Sequence, residues 1–263
     1  MTETTPLDAA HAAMEAAPLD DAARLRFYER LADSEMFLLL TKEAEGDQIE
    51  PEIFELADAS FVLVFDREER LSQFVGQAVP YAALSGRNVS AMLAGQGIGL
   101  AVNLEVAPSS ILLPPQAVDW LSETLGHGPQ EAEAGIEEVT APGGLPEVLI
   151  TALDTKLATA AGLARCAWLA GVRYADGSRS HLLAFGGATP GAEDALARAV
   201  NEALVFSGIE AGSLDVSFVR DGDPLAASLA RVGLRFDLPE LHEPQRAERA
   251  APGSDPDSPP ILR

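Results

Sequence analysis

The stretch AWLAGVRYADGSRSHLLAFG, residues 167–186, restricts the fold of this chain more than any other. Asp176-Gly177 stands between two strand-like runs, and such a pair marks a tight hairpin turn, because the turn needs the positive φ that glycine adopts freely. Upstream, LARCAWLAGVRY alternates: Ala164, Cys166, Trp168, Ala170, Val172 and Tyr174 point one way, and Arg165 and Arg173 the other. Helical patterns flank this hairpin. Before it, Leu145, Leu149, Leu153 and Leu157 recur every fourth residue and lay one apolar stripe on a core. After it come a helix, GAEDALARAVNEALVFSG, ending at Gly208, a strand SLDVSFVRD and a last helix PLAASLARVG. Strands and helices interleave, so this block is a mixed α/β unit.

The first block has the same character. PLDDAARLRFYERLADSE carries Leu25, Tyr28, Leu31 and Ala32 at helical spacing, and MFLLLTK and FVLVF are short apolar runs of strand length. In DREERLSQFV, Asp66 with Glu69 three residues on has capping-box spacing, which predicts Asp66 as the N-cap of a short helix. VPYAAL reads as a strand, SGRNVSAMLAG as a helix closing on Gly95, and PPQAVDWLSETL as a helix with Val118, Leu121 and Leu125 on one stripe.

Gly95, Gly97 and Gly99 invite comparison with a phosphate loop. A dinucleotide fingerprint needs a strand, then G-x-G-x-x-G opening a helix. Here the spacing is G-x-G-x-G, a helix precedes and a strand-like run IGLAVNLEV follows, before a Pro-Ser-Ser turn and ILLP. No Walker lysine is available either, since Lys42 and Lys156 are the only two lysines. The glycines are therefore expected to form a turn and a strand.

Between the blocks, residues 126–144 are rich in acids, glycine and proline and read as a linker. From Leu241 the chain holds five prolines and little that is apolar, the composition of a disordered tail. The expected architecture is α/β (α+β): two small mixed domains, 19–127 and 144–240, each large enough to bury its own core.

Composition excludes several function classes. Lys plus Arg number 18 against 41 Asp plus Glu, a formal net charge of −23, and both halves are acidic. Nucleic acid and anionic membrane surfaces are repelled by such a field. One cysteine, Cys166, excludes an intramolecular disulfide. The first residues carry acids where a signal peptide needs a basic segment, and no apolar stretch is long enough to span a bilayer, so the expected address is cytoplasmic.

FVLVFDREERLSQFV, VPYAALSGRNVSAMLA, GIGLAVN and LPPQAVDWL occur in the order of the enhanced-serine-sensitivity (SseB) N-terminal domain, which the first block resembles. The leucine helix, the hairpin, and LDVSFV followed by DPLAASL resemble the same family's C-terminal domain. The resemblance spans about residues 19–240 and rests on packing residues. It implies the fold and brings no catalytic residues with it. Two positions depart from the family pattern: a Thr-Ser is Asp66-Arg67 here, and an Asn-Pro is Asn103-Leu104, which puts any polar ligand site at those positions in doubt.

Candidates for chemistry are few. Of the four histidines, His11, His127, His181 and His242, only His181 is expected on a rigid element, as a half-exposed strand residue. Cys166 shares its face with Trp168 and Val172, which predicts a buried, inert thiol. Glu43, Glu45, Asp47, Glu50, Glu52, Glu55 and Asp58 crowd one connecting segment, yet the calcium-loop spacing is absent and a solvated loop is expected. Ser60, Ser85, Ser109 and Ser110 lie in no nucleophile elbow. No catalytic, cofactor-binding or metal-ligating residue is expected. The reading that follows is a non-enzymatic cytoplasmic protein that binds another protein and modulates serine-related amino-acid metabolism. The alternative is an amino-acid sensor with a cleft between the domains. Self-association is conceivable through SRSHLLAF, read as an edge strand.

Overall fold

The structure is a computed structural model that describes residues 4–44, 46, 48–56, 59–126, 135–208 and 214–240. The predicted tail from Leu241, residues 127–134 of the linker, His127, His242, Glu45, Asp47 and Asp58 lie outside the described residues. Among the described residues the chain is an α+β protein with eight helices and two mixed sheets, one of six strands and one of five.

The first sheet is built from β1 (Glu35–Leu39), β2 (Ile53–Leu56), β3 (Ala59–Phe65), β4 (Tyr81–Ser85), β5 (Ile98–Val102) and β6 (Ile111–Leu113). Its order is β4-β1-β3-β5-β6, with β2 beside β3. Only β3 and β5 run parallel, joined by a crossover through α3 (Glu68–Val75), β4 and α4 (Gly86–Leu93). α1 (Pro6–Ala16), α2 (Asp21–Asp33) and α5 (Pro115–Gly126) complete this half. The apolar run of β3 is continuous because both its faces are covered. Val62 and Val64 pack with Phe27, Leu31, Val89 and Val118, while Phe61, Leu63 and Phe65 pack with Leu71 and Ala101.

The three glycines form a turn and a strand, as expected. Gly95 (φ 74°) and Gly97 (φ 70°) make the turn after α4. Gly99 lies on β5, where a Cβ would overlap the Leu113 carbonyl oxygen and the Phe61 ring. The strand is shorter than IGLAVNLEV suggests. It stops at Val102, since Asn103 (φ 48°) and Glu105 (φ 59°) turn left-handed.

The second sheet has the order β10-β9-β8-β11, with β7 also on β8. Its strands are β7 (Ile136–Thr140), β8 (Cys166–Tyr174), β9 (Arg179–Gly186), β10 (Leu214–Val219) and β11 (Leu234–Asp237). β8 and β9 are the predicted hairpin, turning at Gly177 (φ 85°). One edge of β8 is shared: β11 pairs with Cys166 to Leu169 and β7 with Gly171 to Tyr174. α6 (Glu147–Leu157) and α7 (Glu193–Phe206) cover one face through Leu149, Leu153, Leu157, Leu196 and Val200. α8 (Pro224–Val232) covers the other, where Leu229 meets Cys166, Trp168, Ala170 and Val172. Ala164 precedes β8 and packs with the α6–α7 face instead of the face assigned to it by alternation.

Several expectations need correction. The segment 43–58 is not only a solvated loop: its end is β2, where Glu55 accepts a hydrogen bond from the Ser60 hydroxyl at 3.0 Å. Within the expected linker, residues 136–140 form β7, whose Glu137 and Glu138 pair with Arg173 at 2.6 and 3.0 Å. SRSHLLAF is not an edge strand, because β9 lies between β8 and β10. That route to self-association is closed. The N-terminal segment carries a helix, α1, ahead of residue 19, and His11 sits buried on it with its ring edge-on to Phe27 at 5.7 Å.

The halves touch through α2 and α7. Phe206, the last residue of α7, is buried in the first half's core with Phe27 and Leu121, and its ring lies 6.3 Å from that of Trp120. Gly208 (φ 72°) ends α7 against Ala22 and Leu25.

Candidate functional site

β3 and β5 run side by side in the same direction, so their carboxyl ends open on a common crevice, the usual place for a binding site in a sheet of this kind. Asp66 follows β3 and Asn103 follows β5. The Asn103 N–H donates to the Val64 carbonyl at 2.9 Å, and its side-chain oxygen accepts from the Asp66 N–H at 3.0 Å. The left-handed backbone of Asn103 turns its amide inward, where it donates to the Ser109 hydroxyl at 2.8 Å. Asparagine tolerates this conformation better than other residues with a side chain.

Asp66 is not an N-cap. The N-cap of α3 is Arg67, without a side-chain capping bond, and the Asp66 carboxylate turns into the crevice toward Arg70 at 2.7 Å. Arg70 lies one turn on and is 2% exposed. Its second partner comes from far away in sequence. The Asp8 carboxylate, on the first turn of α1, accepts from both terminal nitrogens of Arg70, a fork-to-fork pairing that is strong and directional. Asp8 also accepts from the Ser109 hydroxyl at 2.6 Å and from the Thr5 N–H at 2.9 Å. Thr5 and Asp8 form a capping box, and the Thr5 hydroxyl donates to Asp66 at 2.6 Å. Burial alone would raise the Asp8 carboxyl, but the hydrogen bonds from Arg70, Ser109 and Thr5 and the charge of Arg70 hold it far below the usual carboxylate range. Burial would likewise weaken the Arg70 cation; Asp8 and Asp66 outweigh it and raise its value. The Arg70 Nε has no hydrogen-bond partner. Beside this network opens a pocket of about 430 Å³, lined by Thr5, Pro6, Phe37, Asp66, Arg67 and Glu68 among others.

A second buried cluster lies where the halves meet. Lys156 of α6 pairs with Asp33 of α2 at 2.8 Å and with Glu202 of α7 at 2.7 Å, and Glu29 of α2 stands 3.6 Å away. Arg87 of α4 reaches Glu202 at 2.9 Å and Asp33 at 2.8 Å. Burial would lower Lys156, but Asp33 and Glu202 raise it. Burial would raise Glu202, but Arg87 and Lys156 lower it. For Glu29 burial prevails and its carboxyl is raised. On the surface nearby, Tyr28 and Trp120 meet edge-to-face at 5.1 Å and line a second pocket, of about 350 Å³, with Arg24, Leu25 and Ala117.

The residues weighed from sequence are not brought together. Cys166 is buried, as expected, and unpaired. His181 is half-buried on β9, with Nε2 3.0 Å from the Gly143 carbonyl. His181 stands opposite Gly171, five residues from Cys166 along β8, a separation of about 17 Å at strand rise. Ser85 is the N-cap of α4, accepting from the Asn88 N–H. Ser110 accepts from the Glu105 N–H. Of the four serines weighed from sequence, Ser109 enters the crevice. No group of three or more His, Cys, Asp or Glu among the described residues is placed to hold a metal ion. Sequence reasoning missed Asp8 and Arg70. Thr5 and Asp8 at capping-box spacing, and Asp66 and Arg70 one helical turn apart, were the available signals.

Residues 7–120 match the family model of the SseB protein N-terminal domain. That segment, from α1 into α5 and including Asp8, Arg70, Asn103 and Ser109, is similar to the SseB N-terminal domain. No curated protein and no solved structure matches the chain. Among the described residues no helix is long and apolar enough to cross a membrane.

Proposed function

We propose that this chain is a non-enzymatic, cytoplasmic protein of the SseB family that acts by binding another protein and modulates serine-related amino-acid metabolism. In this reading residues 19–127 and 144–240 are two SseB-like domains, the second resembling the family's C-terminal domain. What supports it is how the reactive side chains are used. The acids and bases pair with one another in two largely buried clusters, while an aromatic pair opens on the surface. Trp120 is 38% exposed and rests on Tyr28 beside Arg24. Trp, Tyr and Arg are the residue types that anchor most protein interfaces. The test is affinity capture from native cytoplasm with the wild-type chain and with Tyr28→Ala and Trp120→Ala. A stoichiometric partner retained by wild type and lost with both variants, at unchanged melting temperature, supports the reading. A turnover activity abolished by one polar substitution refutes it.

A second reading, a small-molecule sensor, draws on the pocket of about 430 Å³ beside Asp66, a volume suited to a small ligand. In this form the ligand sits at the crevice, since α2, α4, α6 and α7 fill the contact between the halves with ion pairs. Ligands that bind only the folded state raise the melting temperature by mass action, so titration with serine and related amino acids decides it. A flat response at millimolar ligand removes this reading.

A further inference from the structure

A strand at the border of a sheet leaves the N–H and C=O groups of alternate residues without a ladder partner, and folded proteins blunt such borders with charge, proline, bulges or brevity. Most borders of the two sheets show these devices. β2 carries Glu55, β7 carries Glu137 and Glu138, β11 carries Arg235 and Asp237, β4 follows directly on Pro80, and β6 has three residues. β10 is different. Its six residues, LDVSFV, pair with β9 without a register shift, and among the described residues no strand pairs with its other edge. Leu214, Val216 and Phe218 pack toward α6 and α7, where Phe218 stacks on Phe185 at 5.6 Å, so the edge is held firm; all three stay half-buried. The single charge, Asp215, accepts from the Tyr174 hydroxyl of β8 at 2.7 Å, across β9. That bond draws the carboxylate back over the sheet and leaves the edge unguarded.

We propose that β10 is the edge through which two copies of this chain pair, antiparallel and side by side, joining their five-stranded sheets into one. The strand's own sequence selects a second copy as the occupant. A two-fold axis relates two antiparallel neighbours only when it stands perpendicular to their sheet, which sets residues of the same face opposite one another. Among the registers that keep most of the strand paired, centring on Asp215 sets two carboxylates together, and like charges directly opposite are destabilising. Centring on Ser217 leaves Asp215 facing Val219, and centring on Phe218 leaves it facing Asp221. Centring on Val216 sets Leu214 against Phe218 on the helix-covered face. On the other face it sets Asp215 against Ser217, whose hydroxyl can donate to the carboxylate oxygen that Tyr174 does not take. Each of these two pairs occurs twice by symmetry, and α6 and α7 of both copies stand on the same side of the joined sheet. The inference goes beyond the protein-binding reading, does not rest on it, and names a different surface from the Tyr28–Trp120 patch.

The test measures the mass of the full chain by sedimentation equilibrium from about 1 to about 500 μM, in about 0.15 M salt so that repulsion between two acidic chains is screened. A dimer is expected to form within that range. Ser217→Asp sets a carboxylate against Asp215 of the second copy and is expected to weaken the dimer about tenfold or more. Ser217→Lys sets a cation there and is expected to tighten it about threefold or more. Misfolding would move both variants the same way, so opposite shifts at one position report the register itself. Hydrogen exchange on the wild-type chain supplies a measurement independent of both variants. Protection of the β10 amides is expected to rise about tenfold from the lowest to the highest concentration, while that of α6 stays constant. A monomer at every concentration overturns the proposal, and one with β10 already protected assigns the edge to cover from within the chain. Shifts of the same sign from Asp and Lys overturn it too, as does a dimer whose added protection falls on another segment.

Discussion

Asp8, Asp66 and Arg70 carry three charges in a space that solvent hardly reaches, with Arg70 and Asp8 each at 2% exposure. Removing one partner from such a set costs far more than the set adds, because the remaining charges stay buried without compensation. Arg70→Met is therefore expected to lower stability by about 3–5 kcal/mol, read from the urea midpoint. The Asp8 carboxyl has a value in the folded chain below its unfolded value of about 3.9. Its contribution is therefore complete above about pH 4 and is lost as pH falls below it, where the unfolded chain takes up the proton first. The stability difference between wild type and Asp8→Asn is expected to shrink between about pH 4 and pH 2, followed by denaturant titration at each pH. Gly99 gives a second single-residue prediction. A methyl there meets the Leu113 carbonyl and the Phe61 ring, so Gly99→Ala is expected to cost about 1–3 kcal/mol. The capping-box spacing of Thr5 and Asp8, which sequence reading passed over, was visible as a local signal. That Arg70, 62 residues away, takes the same carboxylate was not, because no local pattern encodes which charges meet across a fold.

Most elements that sequence reading recovered have at least one strongly apolar face, β4 being an exception with no buried side chain. β1, β3, β5, β8 and β9 declare themselves by buried runs, and α5 and α6 by their stripes. The ones it missed, β2 and β7, are short strands with mostly exposed side chains and acids on their open faces. Both are paired on one side only, β2 with β3 and β7 with β8. Edge strands commonly carry charge, which discourages pairing with other chains, and charge makes them look like loops. α1 was missed because its many alanines dilute the stripe of Leu7, Ala10 and Met14 that packs on the core, and part of its docking is the polar contact of Asp8. A strand that depends on its ladder is sensitive to proline. Val139→Pro is expected to cost between roughly 0.5 and 3 kcal/mol and to expose the amides of β7 to exchange while those of α6 and α7 stay protected.

At the scale of the molecule, the junction between the halves decides how they behave. Phe206 seals one core from the other half, and the Lys156 cluster ties α2, α4, α6 and α7 together. Three carboxylates, Glu29, Asp33 and Glu202, face two cations, Lys156 and Arg87, so the cluster carries one surplus negative charge. Lys156→Met leaves Asp33 and Glu202 with Arg87 alone and takes from Glu29 its nearest cation. It is expected to cost about 3–5 kcal/mol and to split a single calorimetric transition into two. The surplus falls on Glu29, whose carboxyl is raised in the folded chain by burial. A raised carboxyl favours the fold most below its unfolded value, about 4.3, and that advantage is lost as pH rises through the folded value. Glu29→Gln is therefore expected to become the more stable form, relative to wild type, as pH rises from about 4 toward neutrality, measured by paired thermal melts.

Local patterning was sufficient for the class of fold, the hairpin at Gly177, the glycine turn before β5, the burial of Cys166 and the likeness to the SseB N-terminal domain. Hydrophobic periodicity and turn stereochemistry act between near neighbours, so they are written in the order of residues. Which carboxylate meets Arg70, where Asp66 turns once it is not a cap, and how Lys156 joins the halves were settled by folding alone. A buried charge seeks its counter-charge through space, and the residues that answer are chosen by the packing of helices far apart along the chain.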